Sequence, residues 1–370
     1  LKRTVPIVLV AGALALAACG SSSSSSSTPT TASSSGATPT TAASGGSSSG
    51  SVTLQESGSS LMFPYLEGIV GAFHTANPTI TVAPAAGGSG QGITDAGEGT
   101  TDFGASDAYL SASVRAAQPD LINIPVVVSS QAVDYNLKGI ANLKLNGTVL
   151  AGMYLGTIKT WNDPAIAALN PGVTLPSEAV HPVHRSDSSG DTFLFSSFLS
   201  ATDPAFNTAV GPNTIMNLPS VSTSAAAKGN PGMVQSCGST PGCVAYVGIS
   251  AEASATAAGL GEAELQNAAG QFELSTPATV NAAVAAAPAI PANLAVSLIY
   301  TKGSGTYPIV NFEYIIVKMS AKNGPAIQTF LNYIISPTGG SAPAALTKDN
   351  FEALPTSILP KVKAAIASIK

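Results

Sequence analysis

His184-Arg185-Ser186-Asp187-Ser188-Ser189-Gly190-Asp191-Thr192-Phe193 runs straight into Leu194-Phe195-Ser196-Ser197-Phe198-Leu199. The segment Phe193–Leu199 reads as an amphipathic helix, which puts Ser188 to Asp191 at its cap and first turn. A helix start offers unpaired N–H donors and the positive end of the helix dipole, a ready site for a small anion. Arg185 adds a forked donor suited to a tetrahedral oxyanion, and Asp187 is close enough in sequence to hold that guanidinium in place. An ordinary capped helix with surface charges has the same local signature. Only matching parts elsewhere in the chain separate the two.

Working outward, strands and helices alternate. Val52-Thr53-Leu54-Gln55-Glu56 alternates like a strand and leads into Gly58-Ser59-Ser60. Leu61, Tyr65, Ile69 and Phe73 then recur on one helical face until Asn77-Pro78. Strand signals follow at Thr79–Ala83, around Asp102–Asp107, at Leu121–Ser129, at Ala132–Leu137 and at Ile309–Lys318. Helices are expected from Asp163-Pro164 to Asn170-Pro171-Gly172, from Thr276-Pro277, and around Gln328–Ile335 and Val362–Ile369. Such alternation predicts an α/β fold of open, largely parallel sheets with helices on both faces. Ligands of such folds sit at loops leaving the carboxyl ends of strands. The candidate loops are Gly58–Met62, Gly87–Gly92, Ser106-Asp107 and Arg185–Asp191. Gly88-Ser89-Gly90-Gln91-Gly92 lacks the lysine of a P-loop and the distant acid of a dinucleotide fingerprint. It is better read as a turn presenting Ser89 and backbone N–H groups.

The amino-terminal fifty residues carry no fold signal. Lys2 and Arg3 precede an apolar run from Val5 to Ala18 that suits a signal-peptide core, and Leu16-Ala17-Ala18-Cys19-Gly20 has the form of a bacterial lipoprotein cleavage site. Residues 1–19 are thus expected to be a lipoprotein signal peptide, with Cys19 the lipidated (palmitate-bearing) residue. Residues 20–50 contain only Ser, Thr, Pro, Ala and Gly, the composition of a flexible tether. The formal net charge is −5, and setting aside the two positive charges of Lys2 and Arg3 leaves −7. That balance argues against nucleic acid as a partner and makes any anion site rely on local dipoles. Beyond Cys19 only Cys237 and Cys243 remain, flanking a turn-rich loop. In an exported protein this spacing predicts a disulfide; metal binding is the alternative, weakened because His74, His181 and His184 show no ligand spacing with them.

Several stretches occur together in one order: Gly58-Ser59-Ser60-Leu61-Met62-Phe63-Pro64, Asp102 to Ser111, Gly156 to Asp163, Leu169-Asn170-Pro171-Gly172 and His184 to Phe193. In that order they resemble PstS, the phosphate-binding proteins of bacterial phosphate ABC importers. The likeness is greatest to the mycobacterial lipoprotein branch, through Pro241-Gly242-Cys243-Val244-Ala245-Tyr246. It implies a periplasmic-binding-protein type II fold, two α/β lobes joined by two crossover strands with the ligand cleft between them. One lobe would comprise residues 51–132 and 306–370, the other 133–305. The family's phosphate contacts match Ser89, Asp107, Arg185, Ser189 and Gly190. In the first loop they match the region of Ser60, Leu61 and Met62, where many members have a threonine at the position of Met62; Ser59 or Ser60 then supplies the hydroxyl. Asp191 stands where other members carry threonine, and Asp187 is expected to orient Arg185.

A carboxylate in an anion site has a chemical use. Phosphate near neutral pH keeps a proton that it donates to Asp107, whereas sulfate has none and would leave two negative charges facing each other. The resemblance therefore implies an extracytoplasmic, lipid-anchored binder of inorganic phosphate on the outer side of the cytoplasmic membrane. It would deliver phosphate to the membrane subunits of an ABC transporter, with no cofactor, no metal and no catalysis. The alternatives are a phosphatase-like hydrolase using Ser189, His184 and Asp191, a binder of another tetrahedral oxyanion, and a surface lipoprotein without a tight ligand. Against the first, Ser189 does not sit in a Gly-x-Ser-x-Gly nucleophile elbow and there is no clustered set of metal ligands.

Overall fold

A computed structural model describes residues 50–370. The expected signal peptide, Cys19 and the tether before Gly50 lie outside the described residues. In chain order the strands are β1 Val52–Gly58, β2 Ile80–Ala83, β3 Phe103–Ser106, β4 Leu121–Tyr135, β5 Lys144–Leu145 and β6 His181–Arg185. They continue with β7 Ala225–Ala227, β8 Cys243–Gly248, β9 Gly261–Glu262, β10 Glu264–Gln266, β11 Phe272–Glu273 and β12 Val310–Lys318.

Nine strands form one mixed sheet in the order β2-β1-β3-β12-β4-β8-β6-β7, with β9 also paired to β4. A small second sheet has the order β11-β10-β5. The outer strands on both sides are parallel: β2, β1 and β3 at one end, β8, β6 and β7 at the other. The middle departs from the parallel expectation, because β12 is antiparallel to β3 and β4, and β4 is antiparallel to β8. The cause is topological. The chain passes from one half of the sheet to the other along β4 and returns along β12, so these two strands must run in opposite directions.

The sequence suggests a break at Ser130-Gln131, yet β4 is one continuous strand of 15 residues. The polar pair stays in the ladder because Ser130 is still opposite Val310 of β12 while Gln131 is already opposite Gly248 of β8. Its flanking apolar residues are buried on both faces, as a central strand requires. Helices cover the sheet where the apolar spacing places them. Phe63–Ala76 buries Tyr65, Leu66, Ile69 and Phe73, and Phe73 meets Phe330 of the helix Gly324–Ile334 edge to face at 4.9 Å. In the other half Phe195 stacks on Tyr246 at 4.6 Å and Trp161 is fully buried. The helices Gly147–Leu155 and Gly229–Gly238 were not legible in the sequence. Cys237 and Cys243 form a disulfide, which leaves neither thiol for the metal alternative.

Candidate functional site

Two helix starts and one turn converge on Asp107. The turn follows β1, where Gly58 has φ +149° and a Cβ would lie 2.1 Å from the Ala105 carbonyl oxygen, so only glycine lets β1 end this close to β3. Beyond it, Ser59 Oγ accepts from Leu61 N and Met62 N, both at 3.1 Å, and donates to Asp107 Oδ1. Ser89 begins the helix Ser89–Glu98; its Oγ donates to Asp107 Oδ2 at 3.2 Å and accepts from Asp107 N at 3.1 Å. Asn311 Nδ2 of β12 donates to the Asp107 main-chain oxygen.

From the other half comes the Arg185 loop. Arg185 ends β6 and grips Asp187 through Nε (2.8 Å) and Nη2, while Nη1 donates to Asp191 Oδ2 at 2.8 Å. Burial works against the guanidinium's charge, but Asp187 and Asp191 outweigh it and raise its pKa. Burial likewise opposes ionisation of Asp187, and Arg185 overcomes it, lowering that carboxyl below its usual range. Ser189 is the N-cap of the helix Gly190–Thr202, accepting from Thr192 N at 3.4 Å. Gly190 lies so near the first half that a Cβ would fall 2.5 Å from Asp107 Oδ2 and 2.6 Å from Ser89 Oγ. Gly90 N donates to Ser188 O at 3.0 Å, so the two helix starts touch directly.

Asp191, in the first helical turn, is fully buried. Besides Arg185 it accepts from Asn230 Nδ2 at 2.9 Å and Gln131 Nε2 at 3.1 Å. Burial, then the negative charge of Asp107, push its pKa up to about 7. It is thus poised to accept or donate near neutrality.

Ser59, Ser89, Asp107, Arg185, Ser189, Gly190 and Asp191 are all buried at this junction. Ser60 is not turned to Asp107; its Oγ accepts from Asn230 N at 3.2 Å, tying the first loop to the opposite half. The side chains of Leu61 and Met62 are core, and only their N–H groups serve the turn. Ser189 Oγ is occupied by the helix cap and His184 Nδ1 faces Arg185 O at 3.2 Å, so no Ser–His pair forms between them. Sequence reasoning missed Asn230, Gln131 and Asn311. The signals were present: Gln131 and Asn311 interrupt apolar strands, and Asn230 sits in a Gly-Asn-Pro turn opening a helix.

Residues 26–338 match the family model for the PBP superfamily domain. Phosphate-binding protein PstS 3 of Mycobacterium tuberculosis is 36% identical over 244 residues, covering 65% of this chain and 63% of that protein. The match thus spans under two thirds of the length of this mycobacterial relative. Phosphate-binding protein PstS of Methanocaldococcus jannaschii is 30% identical over 322 residues, covering 80% of this chain and 81% of that one. The crystal structure of a phosphate-binding protein from Stenotrophomonas maltophilia superposes with a TM-score of 0.67 at 22% identity, covering 85% of this chain and 94% of that one, a likeness of fold. With a type II periplasmic-binding-protein fold and these relatives, the chain belongs to the PstS family of the PBP superfamily.

Proposed function

We propose that the chain is an extracytoplasmic binding protein that captures inorganic phosphate around Asp107 and delivers it to the membrane subunits of a phosphate ABC importer. The observation that carries this is the convergence on one carboxylate of two helix starts, the Ser59 and Ser89 hydroxyls and the Arg185 loop. Helix starts and Arg185 attract an anion; Asp107 demands that the anion bring a proton. Monohydrogen and dihydrogen phosphate meet both conditions, and sulfate fails the second. Asp187 holds the guanidinium in place, and Gly190 offers its N–H at the helix start that Ser189 caps. The PstS names of the relatives support the same ligand.

The two lobes divide, in this reading, where β4 changes partner at Ser130-Gln131 and where the chain enters β12 after Ile309. Closure over the ion excludes water and strengthens each contact. The ligand leaves unchanged, so the protein is a binder and not a phosphatase. Lipidation at Cys19 would anchor it, with residues 20–50 as the tether; Cys19→Ser should then release it from membranes, and unchanged fractionation and mass would refute the anchor. The central test is calorimetric competition among phosphate, sulfate and arsenate. A wide preference for phosphate over sulfate is expected, and comparable affinities would overturn the assignment.

A further inference from the structure

Glu313 is an ionisable residue in the middle of β12, and it is fully buried. It lies outside every loop considered above. Asn311 and Glu313 are two apart on a strand and therefore project to the same face. Asn311 grips the Asp107 carbonyl, so that face of β12 is the floor beneath Asp107. Glu313 Oε1 accepts from Ser129 Oγ of β4. Its Oε2 receives no donor among the described residues, and Asp107 is the charged neighbour that bears most on its carboxyl. Two neighbouring buried carboxyls resist ionising together, and the one short of donors is the one that keeps a proton.

We propose that Glu313 is the positioning acid of the site: it holds a proton, donates it as a hydrogen bond to Asp107, and leaves Asp107 the single negative charge that faces the ligand. This rests on the phosphate-binding assignment and deepens it. Asp107 then acts as an acceptor whose rear is already satisfied, with its remaining capacity directed at the proton of the bound ion. The groups facing Glu313 agree. Asp107 approaches from the loop after β3, Asp191 adds negative charge from the helix Gly190–Thr202, and Tyr314 follows it on β12. Burial first, then Asp107, raise Glu313 well above the ordinary glutamate range, and Ser129 alone works the other way through a hydrogen bond. Once Glu313 ionises, a second negative charge lies behind Asp107 and opposes a bound dianion. Glu313 thereby sets the alkaline limit of binding.

The test is phosphate calorimetry on the purified full chain from about pH 8 to about pH 10, where the ion remains the monohydrogen dianion. Wild-type affinity is expected to fall at least about tenfold, the equivalent of one pKa unit of coupling. Glu313→Gln keeps a donor and cannot ionise, so its affinity should stay within about threefold across the range. Glu56, which burial pushes up to about 8, is common to both proteins. Ser129→Ala retains Glu313 and removes the donor that favours its ionised form, so the fall should move to higher pH. Parallel profiles for Glu313→Gln and wild type overturn the proposal. Should Glu313→Gln not fold, Ser129→Ala decides, and an unmoved alkaline fall overturns it. A wild type that binds no phosphate near pH 7 would instead refute the ligand assignment.

Discussion

Two sets of carboxyls, each with at least one fully buried acid, depend on β4, and they are built differently. Around the first half of the strand's partner change stand Asp107, Asp191 and Glu313, with Arg185, Asn230, Gln131, Ser59 and Ser89 all donating into the set. Four residues further along, Asp134 lies directly opposite Glu262 of β9, with Glu252 close by. Among the described residues no arginine or lysine pairs with this second set, and neither oxygen of Asp134 has a hydrogen-bond partner. Burial raises all three acids, Glu262 to about 7. The donors around an acid, and not burial alone, decide what it does. In the proposed function the first set receives a proton brought by the ligand beside the one Glu313 holds; the second has only protons of its own.

The strongest way to break this contrast is Arg185→Ala. It removes the one cation of the first set, and phosphate affinity should fall by about 2–5 kcal/mol in calorimetry. Lys159→Ala, at an exposed position, should leave affinity unchanged. Equal effects would show that the anion site lies elsewhere.

Next in size is the second set, read through stability. Because the folded protein holds these carboxyls protonated well above their unfolded range, it binds more protons than the unfolded chain between about pH 4 and pH 8. Stability is therefore full at the acid side and declines as pH rises through about 7. The loss should be on the order of 1–3 kcal/mol between about pH 5 and pH 8 by urea denaturation. Asp134→Asn places an amide donor among Glu252 and Glu262 and should flatten that decline while leaving phosphate affinity intact. A variant as pH-sensitive as wild type would remove the second set from the account.

The smallest effect sharpens the first set from within. Asp191 titrates at about 7, so as pH falls from about 8 to 6 it gains a proton and stops repelling the ion. Affinity should hold or improve over that range by up to about tenfold, or 1.4 kcal/mol. Asp191→Thr, whose hydroxyl both donates and accepts, should flatten or reverse the trend. Parallel profiles would mean that Asp191 serves the helix start alone.

What could be read beforehand was whatever depends on neighbours in sequence. Helix starts at Ser89 and Gly190, the Arg185–Asp187 pair and the strand leading to Asp107 are local patterns, and each lies where its spacing implied. Proline at the first turn marked the helices Pro164–Leu169 and Pro277–Ala285. Asn230, Gln131 and Glu313 have functions that exist only after distant strands meet, since their partners lie 39, 60 and 184 residues away. A polar residue inside an apolar strand announced that something had to satisfy it, but not what. The choice between Ser59 and Ser60 also required coordinates, because adjacent serines differ only in the direction the turn gives them.

A strand that belongs to both halves of a sheet has a consequence for communication. β4 is unbroken across the partner change, so the two halves share one strand, and they meet again where Gly190 approaches Asp107. An ion held there, too small to reach the surface, would write its presence on the spacing of the two halves. In the proposed function a membrane partner would need no access to the buried ion to distinguish a loaded carrier from an empty one; it would have only to measure a span.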